Sequence, residues 1–407
     1  MMKNSKIEWV GEIPEHWEVL KLKYVIKTRD ENAFYNPDCD TYIGMENIKG
    51  YSNSLVETET EYEKSTQSVY KCGDILFGKL RPYLSKVYIT HDSGFCSGEF
   101  LVISDFNGCK SFLHYSLLNP KFIQNINAST YGAKMPRANS EYILNQKIAI
   151  PPLSEQKAIA EFLDKKCGEV DALIADIQQE IETLEQYKRS VITEAVTKGL
   201  DPSVPMKESG IDWLGEIPML WETKRIAAFY QLRNEKVSDK DFPPLSVTKQ
   251  GVLPQLETVA KTDDGDNRKL VRKGDFAINS RSDRRGSCGI SDYDGSVSLI
   301  NIVLKPRDKA NNKYYNWLFH TEQFADEFYK WGNGIVDDLW TTRWQNMKKI
   351  IIPVPPIENQ QKIADYLDKK CKEIEEIITE KQSQIETLES YKKSLIYEYV
   401  TGKKEVG

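Results

Sequence analysis

The chain has 407 residues, 40% of them hydrophobic and 29% charged, with a formal net charge of −6. That length predicts two or more globular regions, and no apolar run approaches the roughly 20 residues of a membrane span. Overall acidity excludes a uniformly basic nucleic-acid coat, but the charge is unevenly spread: −5 over 154–201, +4 over 221–353 and +1 over 20–150.

In chain order, the opening segment MMKNSKIEWVGEIPEHW has no signal-peptide core. Its stretch Ile7–Pro14, with Trp17-Glu18, returns as Ile211–Pro218 with Trp221-Glu222, displaced by 204 residues. Residues 20–150 read as mixed α/β. A Gly-Asp turn at Gly73-Asp74 precedes a strand over Ile75–Gly78, with a further strand over Val87–Ile89. A helix is expected over Phe112–Asn125, then a Gly/Pro loop over Tyr131–Asn139.

Pro151–Leu200 returns as Pro355–Lys404 at the same displacement, without a gap and with half the aligned positions identical. Val170, Ile174, Ile177, Ile181, Leu184, Val191 and Ala195 recur at steps of about 3.5 residues, the seam of a coiled coil, with Lys188 in one slot. The second copy carries Ile374, Ile378, Ile385, Leu388, Leu395 and Tyr399, interrupted by Lys381 and Lys392. The paired prolines mark each start, Ser154 is the expected N-cap, and Gly199 and Gly402 mark the exits. At about 1.5 Å per residue such a helix spans roughly 66 Å, so its apolar seam needs a partner. The expected partner is its own copy, packed antiparallel.

Residues 201–210 form a Pro/Ser/Gly linker. The second globular region repeats the outline: Gly274-Asp275 and a strand, then a helix over Tyr314–Tyr329 and a loop over Trp331–Trp344. The fold class is α+β, a pseudo-two-fold internal repeat. Two globular regions (1–152 and 211–356) are joined by two long helices (153–200 and 357–404).

No phosphate-cradling glycine loop, dinucleotide fingerprint, methyltransferase, zincin or hydrolase motif is present. His16, His91, His114 and His320 lie far apart with no ligand spacing, so no metal is expected. Seven dispersed cysteines without a CxxC pair read as reduced thiols in a cytoplasmic protein. Two basic loops per half remain. Lys79, Arg81, Tyr83 and Lys86 lie beside a strand, and Tyr131, Lys134 and Arg137 lie on the Gly/Pro loop. In the second half Arg281, Arg284 and Arg285 occupy one loop, and Trp340, Arg343 and Trp344 the other. Arginine suits bidentate contact with guanine, and both cations suit phosphate, so these loops are the candidate DNA-binding residues.

The repeated WVGEIPEHW and WLGEIPMLW, the helix starts PPLSEQ and PPIENQ, the IETLExYKxS blocks and the junction VTKGLDPSVPMKESGIDWLGEIP together resemble the specificity subunit of type I restriction-modification systems. The likeness covers essentially the full length. GDILFGKLRPYLSK with YGAKMPRAN is similar to one type of target recognition domain, and INSRSDRRGSCGIS to another.

The resemblance implies that each globular region is a target recognition domain reading half of a bipartite, asymmetric double-stranded DNA site. The long helices then serve as spacer and dock two methyltransferase subunits, with restriction subunits added. S-adenosylmethionine and ATP belong to those partners, and this chain has no cofactor and no catalysis of its own. The competing expectations are a coiled-coil scaffold without DNA contact and a self-sufficient nuclease.

Overall fold

The computed structural model describes residues 1–132, 134–255, 265–307, 310–334 and 340–406. The chain divides into two units. Unit 1 combines Met1–Gln178 with Lys381–Gly407, and unit 2 is Gln179–Glu380. Each unit therefore holds half of each long helix, Leu153–Lys198 and Ile357–Val400.

In unit 1 an antiparallel sheet runs in the order Ile26–Thr28, Phe100–Phe106, Ile75–Gly78, Val87–Ile89. All of Ile75–Gly78 is buried, as the central place of that apolar run requires. A second sheet orders Asn32–Tyr35, Ser65–Tyr70, Gly94–Cys96 and Tyr42–Ile43. Unit 2 repeats the first sheet with Tyr230–Leu232, Asn301–Pro306, Phe276–Asn279 and Cys288–Ile290.

The Gly-Asp turns have a buried cause. Asp74 is 2% exposed and accepts from Arg29 Nε (2.8 Å) and from the Lys71 amide (2.9 Å). Asp275 does the same for Arg233 Nε (2.5 Å) and the Arg272 amide (2.9 Å). The carboxylates raise the pKa of both arginines above the ordinary value, chiefly by hydrogen bonding.

The two expected helices over Phe112–Asn125 and Tyr314–Tyr329 are each broken in two. Lys110–Leu118 stops before Pro120, which opens Pro120–Ala128, with the Asn119 side chain accepting from the Lys121 amide (2.9 Å). Asn312–Phe319 and Glu322–Lys330 are separated by Thr321, whose hydroxyl caps the second helix at the Phe324 amide (3.3 Å). The first helix of each pair is tied to the long helix beside it. Tyr115 Oη donates to Asp164 Oδ1 at 2.8 Å, and Trp317 Nε1 donates to Asp368 Oδ1 at 2.9 Å.

Ser154 is not the cap of the first long helix, which already begins at Leu153. Gln156 secures the start instead. Its amide reaches the Pro152 carbonyl (3.0 Å) and its Nε2 the Pro151 carbonyl (2.9 Å), and Gln360 repeats both bonds at 3.0 and 2.8 Å.

Within each unit the helix halves pack antiparallel. In unit 1 Phe162 meets Tyr399 (ring centroids 4.4 Å apart), and further along Asp171 meets Lys392. In unit 2 Lys188 meets Glu375. Val170, Ile177, Ile181, Ala195, Ile374 and Leu395 are buried, while Ile174, Leu184, Val191, Ile378, Ile385, Leu388 and Tyr399 are half-buried.

Two of the lysines in the apolar slots, Lys188 and Lys392, have acids opposite them. Lys392 is 5% exposed and donates to both oxygens of Asp171, at 2.7 and 2.6 Å. Lys188 donates to Glu375 Oε1 at 2.5 Å. Asp171 and Glu375 are 204 residues apart, as are Lys188 and Lys392, so the duplication repeats the device.

The far end of a long helix completes the core of each unit. Leu395, Ile396 and Val400 enter the core of unit 1 beside Trp17, Leu117 and Leu163. Ala195 and Val196 enter that of unit 2 beside Trp221 and Tyr314, whose hydroxyl donates to the Val196 carbonyl at 2.7 Å. Burying each large aliphatic is worth about 1.5–3 kcal/mol. Gly402 ends the second helix at φ +67°, and a Cβ there would lie 2.4 Å from Pro14 Cδ. Gly199 ends the first at φ +83°, 3.3 Å from the Trp221 ring.

Candidate nucleic-acid interface

The two basic loops of each half are far apart in sequence, and the fold joins them. In unit 1 the Arg81 amide donates to the Pro136 carbonyl (2.7 Å) and the Ala138 amide to the Lys79 carbonyl (2.9 Å). In unit 2 the Ser282 amide donates to the Trp340 carbonyl (3.0 Å) and the Thr342 amide to the Ser280 carbonyl (2.9 Å). Isolated bridges Leu80–Arg137 and Arg281–Thr341 seal the junctions. Chains of different sequence thus build the same joint twice. Each first loop leaves the central strand of its sheet, which gives it a rigid base.

In unit 1 Arg81 and Ser85 flank the turn Pro82–Leu84 and both take left-handed backbone, at φ +49° and +51°. Such non-glycine residues cost of order 1–3 kcal/mol each and concentrate where function fixes a loop. Arg81 Nη2 donates to the Lys134 carbonyl at 3.4 Å, linking the loops a second time. Tyr83 is 51% exposed and Tyr131 60%. Lys134 is exposed, with no acidic partner among the described residues. Arg137 is exposed and ion-paired with Glu99. Lys79 is half-buried. Burial lowers its pKa most, the nearby Arg137 charge lowers it further, and Glu99 opposes both. Lys86 turns its ammonium to the Met45 carbonyl, and burial lowers its pKa too.

In unit 2 Arg281 clasps Asp283 through Nε (2.9 Å) and Nη2 (3.0 Å). Arg284 lies 3.7 Å from the same carboxylate with its side chain 67% exposed, and Arg285 pairs with Asp326. Arg343 is exposed at the start of a helical turn over Trp344–Met347. Trp340 is half-buried, its Nε1 donating to the Tyr329 carbonyl at 2.8 Å. Trp344 packs against the core of unit 2, which makes its ring a support for the loop. Residues 335–339 of this loop, and Ala133 of its counterpart, lie outside the described residues.

Sequence reasoning missed two features. Leu84 (39% exposed) and Met135 (62%) place apolar surface among the unit 1 cations. The acids that hold the arginines, Glu99, Asp283 and Asp326, also escaped notice. Asp283 is two residues from its partner and was legible; Glu99 and Asp326, about 40 residues away, were not.

The histidines sit as ordinary surface and packing residues. His16 meets Glu155 (2.7 Å), His91 packs edge-on to Tyr88, and His320 lies 2.7 Å from the Asn316 carbonyl. His114 is buried, and burial, with Lys392 nearby, holds its pKa down to about 3. Among the described residues no helix is long and apolar enough to cross a membrane, and no group of three or more His, Cys, Asp or Glu could hold a metal ion.

Residues 14–183 and 218–387 each match the family model for the type I restriction modification DNA specificity domain. The chain is 28% identical, over 98% of its length and 96% of the relative's, to a Methanocaldococcus jannaschii protein provisionally named the specificity subunit of type I restriction enzyme MjaX. It is 25% identical, over 96% and 93%, to the MjaVIII specificity subunit of the same organism. Among solved structures it is similar in fold to a chain from work on complex assembly and conformational transition of the type I R-M system (TM-score 0.70, 16% identity, 96% and 99% covered). It is similar also to the HsdS subunit from Thermoanaerobacter tengcongensis (TM-score 0.51, 18% identity, 96% and 98% covered).

Proposed function

The chain belongs to the type I restriction modification DNA specificity family, and we propose that it recognises DNA and leaves catalysis to partner subunits. From that premise we propose that Lys79, Arg81, Tyr83, Lys86, Tyr131, Lys134 and Arg137 contact one half of a bipartite duplex site. Arg281, Arg284, Arg285, Trp340 and Arg343 contact the other, with Trp344 behind them. The observation that carries this is the doubled joint, in which two loops of unlike sequence are hydrogen-bonded together at matching places in both units. Conserved architecture with divergent basic content is what two readers of different half-sites need.

The long helices, in this reading, set the number of unread base pairs between the half-sites, as half-site geometry demands. They dock two methyltransferase subunits, to which restriction subunits add. S-adenosylmethionine and ATP are bound by those partners, in the cytoplasm. The antiparallel pairing in each unit supports the spacer role, because a pair locked by Asp171–Lys392 and Lys188–Glu375 resists sliding.

The test is methylome sequencing of cells that co-express the chain with its methyltransferase. Inserting one heptad into both long helices, at corresponding positions, should lengthen the spacer and leave both half-sites unchanged. An altered half-site, or an unaltered spacer, would count against the reading. A scaffold without DNA contact predicts no salt-dependent binding to duplex at all.

A further inference from the structure

Several arginines of the two interfaces arrive with a carboxylate attached. Arg137 holds Glu99, Arg281 holds Asp283, and Arg285 holds Asp326. Lys134 and Arg343, on the second loops, have no acidic partner among the described residues. Glu99 is the most constrained of the acids. Its side chain is only 23% exposed, and its Oε2 is buried with no hydrogen-bond partner among the described residues. A carboxylate oxygen left bare is costly, so its retention calls for an explanation. Asp283 presents both oxygens to the Arg281 fork, the planar two-point geometry that arginine also makes with the guanine edge.

Water reaches both side chains of Arg281–Asp283 (38% and 35% exposed), so that pair contributes only about 0–1 kcal/mol to stability, while Arg137–Glu99 has one half-buried partner. Their electrical effect is larger. Each offsets the charge of one cation at the surface that faces the duplex, and DNA attracts cations through its phosphates whatever the sequence.

We propose that Glu99 and Asp283 are specificity-determining residues: each carboxylate offsets the charge of the reading arginine it clasps, which weakens that arginine's pull on backbone phosphate, and the clasp opens only where a base edge replaces the carboxylate. Lys134 and Arg343, which have no acidic partner among the described residues, supply the sequence-independent attraction. This rests on the placement of the loops on DNA proposed above.

The test uses the full chain and two probes: a duplex of mixed sequence titrated across salt concentrations, and a random-duplex library sequenced after selection. Glu99→Gln and Asp283→Asn remove one negative charge each and keep the shape. Each should steepen the dependence of log affinity on log salt by about 0.9, a roughly threefold relative gain in mixed-sequence binding between about 200 and 50 mM salt. In the library, one position of one half-site should become degenerate. Lys134→Ala and Arg343→Ala should make the salt dependence shallower by the same step. If those two do so while the acid variants keep the parent's slope and motif, the specificity role fails and the DNA placement stands. If all four leave slope and motif unchanged, the placement itself fails. Because the slope reports charge at the duplex, a purely structural role for the acids would not move it.

Discussion

The duplication sets up an internal control on buried charge. Asp171–Lys392 and Glu375–Lys188 occupy corresponding places, but the first pair has side chains 36% and 6% exposed and the second 61% and 26%. Removing one partner of a buried pair costs about 3–5 kcal/mol, because the other charge stays desolvated. Water reaches a third of Asp171, so Asp171→Asn should cost about 2–3 kcal/mol. Glu375→Gln, at an exposed pair, should cost about 0–1 kcal/mol. For a unit of about 200 residues, each kcal/mol lowers the melting midpoint by about 2–4 °C. Scanning calorimetry of the full chain should therefore show a loss of roughly 4–12 °C for Asp171→Asn and of at most about 4 °C for Glu375→Gln. The double variant Asp171→Leu with Lys392→Met should recover most of the loss, since an apolar replacement of similar volume is often neutral. Equal losses in the two single variants, or a double variant as damaged as Asp171→Asn, would refute the reasoning.

Two further outcomes follow from the geometry. The His114 imidazole titrates at about 3 in the fold against 6.5 in the open chain. Below pH 6.5 the unfolded state takes up a proton that the folded state refuses, so stability is lost as pH falls from 6.5 towards 3, by up to about 1.4 kcal/mol per unit. His114→Asn copies Asn316, the corresponding residue of unit 2, and should flatten the melting midpoint between pH 6.5 and 4. His320, also lowered by burial, leaves a residual slope, and parallel curves for parent and variant would exclude the assignment. Gly402→Ala combines left-handed strain with a Cβ pressed on the Pro14 ring and should cost about 2–4 kcal/mol. Gly210→Ala, with a similar φ of +69° but open space, should cost about 1 kcal/mol in the same denaturation series.

What could be read from the sequence was what repeats or recurs locally. A displacement held at 204 residues exposed the duplication, and the 3.5-residue period exposed the helices and their exit glycines. The seam lysines were visible only as interruptions. The acids of Lys188 and Lys392 lie on the other helix, and pairing Asp171 with Lys392 requires the antiparallel register, which no single helix carries. The same limit hid the Arg29 and Arg233 partners of the Gly-Asp turns, more than 40 residues upstream. The breaks at Asn119-Pro120 and Thr321 were local and could have been foreseen, since one is proline chemistry and the other a capping hydroxyl. The basic loops stood out by composition, whereas their joining in space depends on the sheet between them. Trp344 stood among the candidate contacts because it lies next to Arg343 in a basic loop. Its packing against the core follows from tertiary context alone.

The closure of unit 1 by Leu395, Ile396 and Val400 reverses the order in which the halves can finish folding during synthesis. All of Gln179–Glu380 is translated before those residues emerge, so the later-made unit can be complete while the earlier one still lacks part of its interior. Truncation after residue 390 should therefore spare unit 2, which lies next to the cut, and unravel unit 1, most of which, Met1–Gln178, lies furthest from it along the chain.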